Sequence, residues 1–279
     1  MGCLYLVATP IGNLEDITLR ALRLLGQVDL IAAEDTRHTG RLLAHFEIDT
    51  PQISYHEHNK LTRLDTVLEA LETGDVALVS DAGTPGLSDP GYKLVQAAID
   101  QGVLVVPIPG PSALTAALVA SGLPTDAFVY VGFLPRRATE RRRLVAELAD
   151  ERRTLVAFES PHRLAAALED IKAALGDRHI VVARELTKMH EEIWRGPVSR
   201  AREHFAGVVR GEVTLVIAGA SDAPSQWDQE RVRESVAQLM EQGRSHREAV
   251  KQVAQASGWP RRAVYQLTLN TKSLSGGKV

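Results

Sequence analysis

The chain alternates between short apolar runs rich in β-branched residues and longer stretches with helical spacing. The short runs are continuously apolar, which predicts strands covered on both faces and therefore an α/β fold. The predicted strands are residues 4–8, 29–33, 76–80, 103–108, 128–132, 155–158, 180–183 and 213–218. The predicted helices are residues 17–25, 61–71, 92–99, 141–148 and 163–175.

Two segments divide this pattern. Residues 120–126 (A-S-G-L-P-T-D) form a candidate hinge, and residues 221–225 (S-D-A-P-S) form a linker without apolar periodicity. We therefore expect an α/β domain over residues 1–122, a second over 123–221, and a small helical domain over 226–275. The helical domain shows a helix-turn-helix pattern, with Val264, Tyr265 and Leu267 forming the apolar face of its second helix.

Nearly every predicted strand is followed by polar, glycine or proline residues. The most informative loop is S-D-A-G-T-P-G (80–86), whose glycines and prolines forbid a helix and fix a tight backbone. At the carboxyl ends of parallel strands such loops converge on one crevice, which we expect to be the ligand site. The other loops are T-P-I-G-N (9–13), E-D-T-R (34–37), H-E-H-N (56–59), P-G-P-S (109–112), E-S-P-H-R (159–163) and R-E-L-T-K (184–188).

Several function classes are excluded by what the loops lack. Only Gly12 of a dinucleotide-binding G-x-G-x-x-G is present, and the G-K-[ST] of a P-loop is missing. The single cysteine, Cys3, cannot pair within the chain, and H-E-x-x-H is absent, so we predict neither a disulfide scaffold nor a metal site. The N-terminus has no basic segment before its short apolar run, and we expect a cytoplasmic protein.

The distribution of charge indicates where a polyanion would bind. The net charge of the 279 residues is −3, yet residues 228–279 carry nine Lys/Arg against five Asp/Glu, a local charge of +4. A second basic cluster is interrupted only by Glu140 and is expected to contact phosphates of a nucleic-acid substrate. Its members are Arg136, Arg137, Arg141, Arg142 and Arg143.

Taken together, the loops resemble those of the tetrapyrrole (corrin/porphyrin) methylase superfamily, and most closely the ribosomal RNA small-subunit methyltransferase I family. The resemblance rests on motifs from residue 4 to about residue 220. They are L-Y-L-V-A-T-P-I-G-N-L-E-D-I-T (4–18), A-E-D-T-R (33–37), S-D-A-G-T-P-G-L-S-D-P-G (80–91), P-G-P-S-A (109–113), F-E-S-P-H-R (158–163), A-R-E-L-T-K (183–188) and G-E-V-T-L-V-I-A-G (211–219).

This resemblance implies two α/β domains with S-adenosylmethionine in the cleft between them. It implies 2'-O-methylation of a cytidine ribose in the decoding region of 16S rRNA, and we expect the small ribosomal subunit to be the substrate. Because members of the superfamily are commonly dimeric, we also expect a homodimer. Ser112 is also a natural helix N-cap. The cofactor residues implied are Pro10, Ile11, Asp81, Ala82, Gly83, Ser112, Ala113, Phe158, Glu159, Val213 and Thr214.

The methyl acceptor is a weak acid, so a carboxylate or histidine beside it would act as general base. Candidates are Glu34, Asp35, His56, His58, Glu159 and Glu185. We favour Glu34 and Asp35 with Arg37 nearby as the catalytic set, and His56 and His58 as a polar rim that contacts substrate. Salt bridges across the cleft are the alternative for these acids. A tetrapyrrole methyltransferase and a ligand-sensing helix-turn-helix regulator are the alternative functions.

Overall fold

The computed structural model describes residues 1–56, 60–87, 91–221 and 229–269, without the side chains of residues 60–62. The chain forms two compact units, Met1–Ala220 and Ser221–Val279. The first unit contains two five-stranded sheets with helices packed against them. Among the helices of the described ranges, none is long and apolar enough to cross a membrane.

The first sheet is entirely parallel, with the strand order β3-β2-β4-β1-β5. Its strands are β1 (Cys3–Val7), β2 (Leu30–Ala33), β3 (Gln52–Ser54), β4 (Val76–Val79) and β5 (Leu104–Ile108). The connecting helices are α1 (Leu19–Leu25), α2 (Thr36–His45), α3 (Lys60–Thr73) and α4 (Gly91–Asp100), and α5 (Ala113–Ser121) follows β5.

Both faces of the first sheet are buried, as its continuous apolar strands predict. Val76 and Leu78 of β4 lie in the core that contains Leu71 of α3, while Ala77 and Val79 lie in the opposite core with α1 and α2. Successive side chains of a strand point to opposite faces, so one apolar run serves two helical layers. The loops that follow the strands are thereby held at one edge of a rigid sheet.

The second sheet has the strand order β6-β7-β10-β8-β9. Its strands are β6 (Phe128–Phe133), β7 (Thr154–Glu159), β8 (His179–Arg184), β9 (Glu192–Pro197) and β10 (Val213–Ile217). The helices α6 (Ala138–Glu147), α7 (Leu164–Leu175) and α8 (Val198–His204) belong to this half. Helix α5, which follows the first sheet, shares a core with strands of the second, so Leu114 and Leu118 tie the two halves together.

The second sheet is mixed, so the condition of parallel strands under which all the loops would converge on one edge holds for the first sheet only. Only β6 and β7 are parallel, whereas β10 runs antiparallel to both β7 and β8, and β8 and β9 are antiparallel neighbours. Strands β3 and β9 were not predicted, because these sheet-edge segments contain Gln52, Glu192 and Arg195 and have no continuous apolar run. Helix α6 begins three residues before the predicted start, with a polar first turn.

The second unit contains the helices α9 (Gln229–Glu241), α10 (His246–Ser257) and α11 (Arg261–Leu269). Ser245 caps α10 in a reciprocal capping box with Glu248, and Gly258 ends it in the left-handed conformation. The apolar face predicted for the last helix is right for Val264 but wrong for Tyr265, which is 45% exposed. The buried core is formed by Val232, Val236, Ala249, Val250, Val253 and Val264.

Candidate functional site

A cavity of about 470 Å³ lies between the two halves of the first unit. Its volume is within the range of pockets that hold a ligand of nucleoside size or larger. The first half lines it with Ile11, Glu34, Ser80, Asp81, Ala82, Gly83, Thr84, Leu87, Ser112 and Ala113. The second half lines it with Phe133, Phe158, Glu159, Ser160, Pro161, Glu212, Val213 and Thr214.

The loops after β1 and β4 are fastened to each other at this cavity. The backbone N–H of Thr9 donates to the Gly83 carbonyl at 2.9 Å, and the Gly83 N–H donates back at 3.0 Å. Gly83 has a φ of +80°, and a Cβ atom there would lie 3.4 Å from Ile11 Cγ2. A side chain at this position would be strained in the left-handed region, so glycine fixes the shape of the cavity wall.

The ends of β2 and β4 are joined by two hydrogen bonds between acidic residues. The Asp35 N–H donates to Asp81 Oδ1 at 3.0 Å, and the Asp81 N–H donates to Glu34 Oε2 at 3.2 Å. Backbone N–H groups thus satisfy one oxygen of the Asp81 carboxylate and one oxygen of the Glu34 carboxylate. The carboxylates of Glu34 and Asp81 line the cavity.

Asp35 has a structural role. It is the N-cap of α2 and accepts from the Arg37 N–H at 2.8 Å, and its two oxygens also accept from the Arg37 guanidinium at 3.1 and 2.8 Å. Hydrogen bonds from Arg37 hold the pKa of the Asp35 carboxyl well below its usual range. The contacts that Asp35 makes are those of a helix cap and an ion pair, and its assignment as general base stays a prediction.

The register between β7 and β10 places residues of the second half at the cavity wall. Strands β7 and β10 are antiparallel, with Val213 opposite Glu159 and Thr214 opposite Phe158. The Phe158 ring also makes edge-to-face contacts with Tyr130 and Phe133, with ring centroids 5.3 and 5.4 Å away. Aromatic rings held in this way offer a fixed apolar surface to a planar ligand group.

Glu159 is a buried carboxylate at this wall, only 2% exposed. Its Oε1 accepts from the Ser160 N–H at 2.7 Å and pairs with the Arg163 guanidinium at 2.5 Å, while its Oε2 has no partner among the described residues. Burial raises the pKa of Glu159, and the Ser160 hydrogen bond and the charge of Arg163 offset part of that rise. A buried acceptor without a partner is costly unless a ligand supplies a donor.

Ten of the eleven predicted cofactor residues line the cavity. The exception is Pro10, which lines a smaller neighbouring cavity. Ser112 occupies the N-cap position of α5, as predicted, but its side chain makes no capping hydrogen bond. Its hydroxyl therefore does not bond to the N-terminus of the helix, and Ser112 lines the cavity.

The sequence did not predict seven of the lining residues. Six of them lie inside the quoted motifs, and Phe133 directly follows a predicted strand. Their positions at strand ends were the available signal, but nothing in the sequence tells which side chain of a loop turns towards a cavity. The missed residues are Ser80, Thr84, Leu87, Phe133, Ser160, Pro161 and Glu212.

The other predicted base and rim residues are not brought together at the cavity. His56 follows β3 at the edge of the first sheet and does not line the cavity, and His58 lies outside the described residues. Glu185 pairs with Lys188 at 2.8 Å in a loop whose Glu185 and Thr187 have φ values of 52° and 67°. Within the described ranges, no group of three or more His, Cys, Asp or Glu could hold a metal ion.

The predicted basic cluster is not a free cationic surface. Arg141 is 4% exposed and pairs with Asp170 at 2.7 Å, so the prediction that Arg141 contacts a substrate phosphate is wrong. Arg142 pairs with the same carboxylate at 2.8 Å. Arg137 and Arg143 pair with Glu140 and Glu147 at 3.2 and 3.6 Å. Only Arg136 of the five has no ion pair among the described residues.

Comparison with known proteins agrees with this architecture. Residues 3–202 match the family model described as Tetrapyrrole (Corrin/Porphyrin) Methylases. A solved uroporphyrin-III-C-methyltransferase from Thermus thermophilus is 22% identical, covers 78% of this chain and 94% of its own, and has a TM-score of 0.57. A solved cobalt precorrin-4 methyltransferase is 20% identical, covers 77% and 94%, and has a TM-score of 0.59. The fold is therefore that of the tetrapyrrole methylases, which confirms the predicted fold class.

Sequence relatives show to which family within this fold the chain belongs. Proteins called "Ribosomal RNA small subunit methyltransferase I" match from Synechocystis sp. (52% identity, 98% of this chain and 99% of the relative) and Halalkalibacterium halodurans (47%, 95% and 94%). Another of that name, from Thermotoga maritima, is 51% identical over 221 residues, which are 78% of this chain and 99% of the relative. The chain belongs to the ribosomal RNA small-subunit methyltransferase I family, and the predicted resemblance is confirmed.

Proposed function

We propose that this chain is an S-adenosylmethionine-dependent methyltransferase that methylates the 2'-oxygen of a cytidine ribose in the decoding region of 16S rRNA. The observation that carries the proposal is the cavity between the halves, which brings ten predicted cofactor residues together. Near-full-length relatives that bear a ribosomal RNA methyltransferase name support RNA as the methyl acceptor. The structural neighbours named for tetrapyrrole substrates are at most 22% identical and support the fold alone.

The residues of the cavity fit S-adenosylmethionine. Phe158 offers an aromatic surface for the adenine, and the unpaired Oε2 of Glu159 offers an acceptor for a donor group of the nucleoside. The Ser112 hydroxyl and the Asp81 carboxylate would bind the ribose or the amino-acid part from the opposite side. A solved relative in fold, a uroporphyrin-III C-methyltransferase, holds S-adenosyl homocysteine.

The cofactor supplies a methyl group already activated by its sulfonium, so the protein needs to align the acceptor and assist loss of one proton. Glu34 is the proposed general base, because it lines the cavity beside Asp81 whereas Asp35 is held by Arg37. General-base assistance from such a carboxylate is worth about 10²–10⁴-fold in rate. Arg37 would then act indirectly, because it holds Asp35 in its capping position at the start of α2.

The helical unit is proposed to bind RNA without taking part in chemistry. Every cavity residue lies in the first unit, and the Thermotoga relative matches over a length close to that unit alone. Arg261 and Arg262 are exposed at the start of α11, the second helix of the helix-turn-helix pattern, and Tyr265 is exposed one turn further on. Exposed arginines beside an aromatic ring are typical of nucleic-acid contact.

We also infer a homodimer, which sedimentation of the purified chain would test.

The test of this function is methyl transfer to small ribosomal subunits from cells that lack the enzyme. Labelled S-adenosylmethionine is the donor, and the RNA product is digested and mapped. We expect one 2'-O-methylated cytidine in the decoding region. A methylated base, or label at a different region of the RNA, would contradict the finer proposal while leaving RNA methylation standing. Label in added uroporphyrin-type tetrapyrroles alone would contradict RNA as the acceptor.

A further inference from the structure

A second cavity, of about 210 Å³, adjoins the first on the side of α2. The two cavities share Ser80 and Asp81 as lining residues. The second one is less than half as large as the first, which is too little for the whole methyl donor but enough for part of a nucleotide. Its other lining residues are Thr9, Pro10, Leu14, His38, Thr39, Arg41 and Leu42.

One side of this cavity is cationic. His38 and Arg41 are three residues apart on α2 and therefore lie on the same helix face. Both are exposed, and no ion pair of Arg41 occurs within the described part of the chain. This differs from Arg37 on the same helix, which is held by Asp35, and from the paired arginines of α6. A guanidinium without a partner beside a cavity is suited to a phosphate group.

Other parts of the cavity wall are apolar. Pro10 and Leu14 come from the loop after β1, and Leu42 comes from α2. Leu14 is 40% exposed although it is a large apolar side chain, so its surface is open to a ligand. A nucleotide has a charged phosphate and flat or apolar sugar and base faces, which matches a cavity that is lined by both basic and apolar side chains.

We propose that this second cavity binds the RNA nucleotide that carries the acceptor hydroxyl, with its phosphate at Arg41 and His38. The inference rests on the proposed function, because it assumes an RNA acceptor. Since Asp81 lines both cavities, a nucleotide in the smaller one lies against the wall of the larger one, where the methyl donor is proposed to bind. The predicted arginine cluster of α6 is then not the main phosphate site, and Arg41 takes that role.

The test compares Arg41→Ala with Arg23→Ala as the matched control. Arg23 is an exposed arginine on α1 that lines neither cavity, so both variants lose one charge in the same half of the unit. Binding of unmethylated small ribosomal subunits is measured at several salt concentrations without cofactor, and S-adenosylmethionine affinity is measured separately. We expect Arg41→Ala to weaken subunit binding about ten- to a hundredfold. The slope of log affinity against log salt should fall by about 0.7–0.9, with cofactor affinity unchanged.

A second variant, Leu14→Trp, fills the cavity without changing charge and should also weaken subunit binding. The proposal is overturned if Arg41→Ala binds subunits with the affinity and salt slope of Arg23→Ala. It is also overturned if Leu14→Trp binds as the wild type does, because the phosphate contact would then lie outside the cavity. Loss of cofactor affinity in Arg41→Ala would assign the cavity to the methyl donor instead. If the wild-type chain itself neither binds nor methylates subunits, the proposed function fails first.

Discussion

Asp81 Oδ1 accepts a hydrogen bond of 3.0 Å from the backbone N–H of Asp35, 46 residues earlier in the chain. The bond fixes the end of β4 against the end of β2 and directs the Asp81 side chain along the cavity wall. Its second oxygen, Oδ2, makes no hydrogen bond or ion pair to any described residue. One oxygen thus positions the side chain, and the other is available to a ligand.

Asp81→Ala is expected to weaken S-adenosylmethionine binding. The change removes an acceptor that the ligand would otherwise use and also releases the Asp35 N–H. Asp81 is half-buried, and loss of a polar partner that leaves a donor unsatisfied costs about 1–3 kcal/mol. Calorimetric titration of the folded variant measures the difference.

The matched control is Asp126→Ala, which removes an exposed aspartate that does not line the cavity. Its affinity for S-adenosylmethionine should equal that of the wild type. Equal affinities for the Asp81 and Asp126 variants would remove Asp81 from the cofactor site.

Gly83→Ala should distort the cavity and destabilise the first unit. The φ of +80° places an alanine in the left-handed region, at a cost of about 1–3 kcal/mol. The strained loop also carries Asp81 and Ala82, so cofactor affinity should fall together with the free energy of unfolding.

Gly207→Ala is the control for this change. Gly207 has no positive φ, and a Cβ atom there would meet nothing within 4 Å. Urea denaturation should show a loss of stability for the Gly83 variant and almost none for the Gly207 variant. Similar unfolding curves for both would mean that the loop adapts to a side chain without strain.

The sequence predicted the strands that are apolar throughout, such as β4 and β10, because burial on both faces leaves a continuous run. It missed β3 and β9, whose polar residues are tolerated at a sheet edge. The direction of β10 could not be predicted, since an apolar run has the same pattern in a parallel or an antiparallel strand.

The sequence also predicted part of the candidate site but not all of it. Ten of the eleven residues predicted to bind the cofactor line one cavity, as the convergence of the loops predicted. The charge pattern could not predict which arginines form buried ion pairs. Arg141 belongs to an arginine run in the sequence, but in the structure it is buried and bonded to Asp170, 29 residues later. The capping role of Asp35 could not be predicted either, because capping and ion pairing to Arg37 depend on where the helix starts.

Asp170→Asn should destabilise the first unit strongly at pH 7. Asp170 and Arg141 are both 5% exposed at their side chains, and breaking a buried pair costs about 3–5 kcal/mol because one charge is left without a partner. Arg142→Ala, which removes only the 68% exposed partner, should cost far less. Denaturant unfolding of the three proteins measures this, and equal losses for both variants would contradict the buried-pair assignment.

The destabilisation by Asp170→Asn should depend on pH. Burial opposes ionisation of Asp170, but hydrogen bonds from Arg142 and Arg141 outweigh it and lower its pKa. A depressed pKa gives stability that is present above the unfolded value of about 3.9 and is lost as the pH falls through the folded value. The difference in unfolding free energy between wild type and variant should therefore be constant near neutrality and shrink below about pH 4. A difference that grows on acidification would contradict the lowered pKa.

Truncation after Ala220 should leave a folded protein that still binds S-adenosylmethionine, because every cavity residue lies upstream. Its kcat/KM on small subunits should fall, mainly through a higher KM, since the removed unit is proposed to contact RNA and not the reacting atoms. Steady-state kinetics separate the two constants. Full kcat/KM in the truncated protein would contradict an RNA-binding role for the helical unit.

The central claim is that methyl transfer to RNA takes place from the cavity between the two halves. Ala82 is exposed at that cavity, so Ala82→Trp should block it with little effect on folding, and Ala146→Trp on the exposed face of α6 is the matched control. The decisive measurement is transfer of labelled methyl from S-adenosylmethionine to unmethylated small ribosomal subunits. We expect labelled RNA with the wild type and Ala146→Trp and none with Ala82→Trp, which should also lose cofactor binding. Undiminished transfer by Ala82→Trp, or no transfer by the wild type, would contradict the central claim.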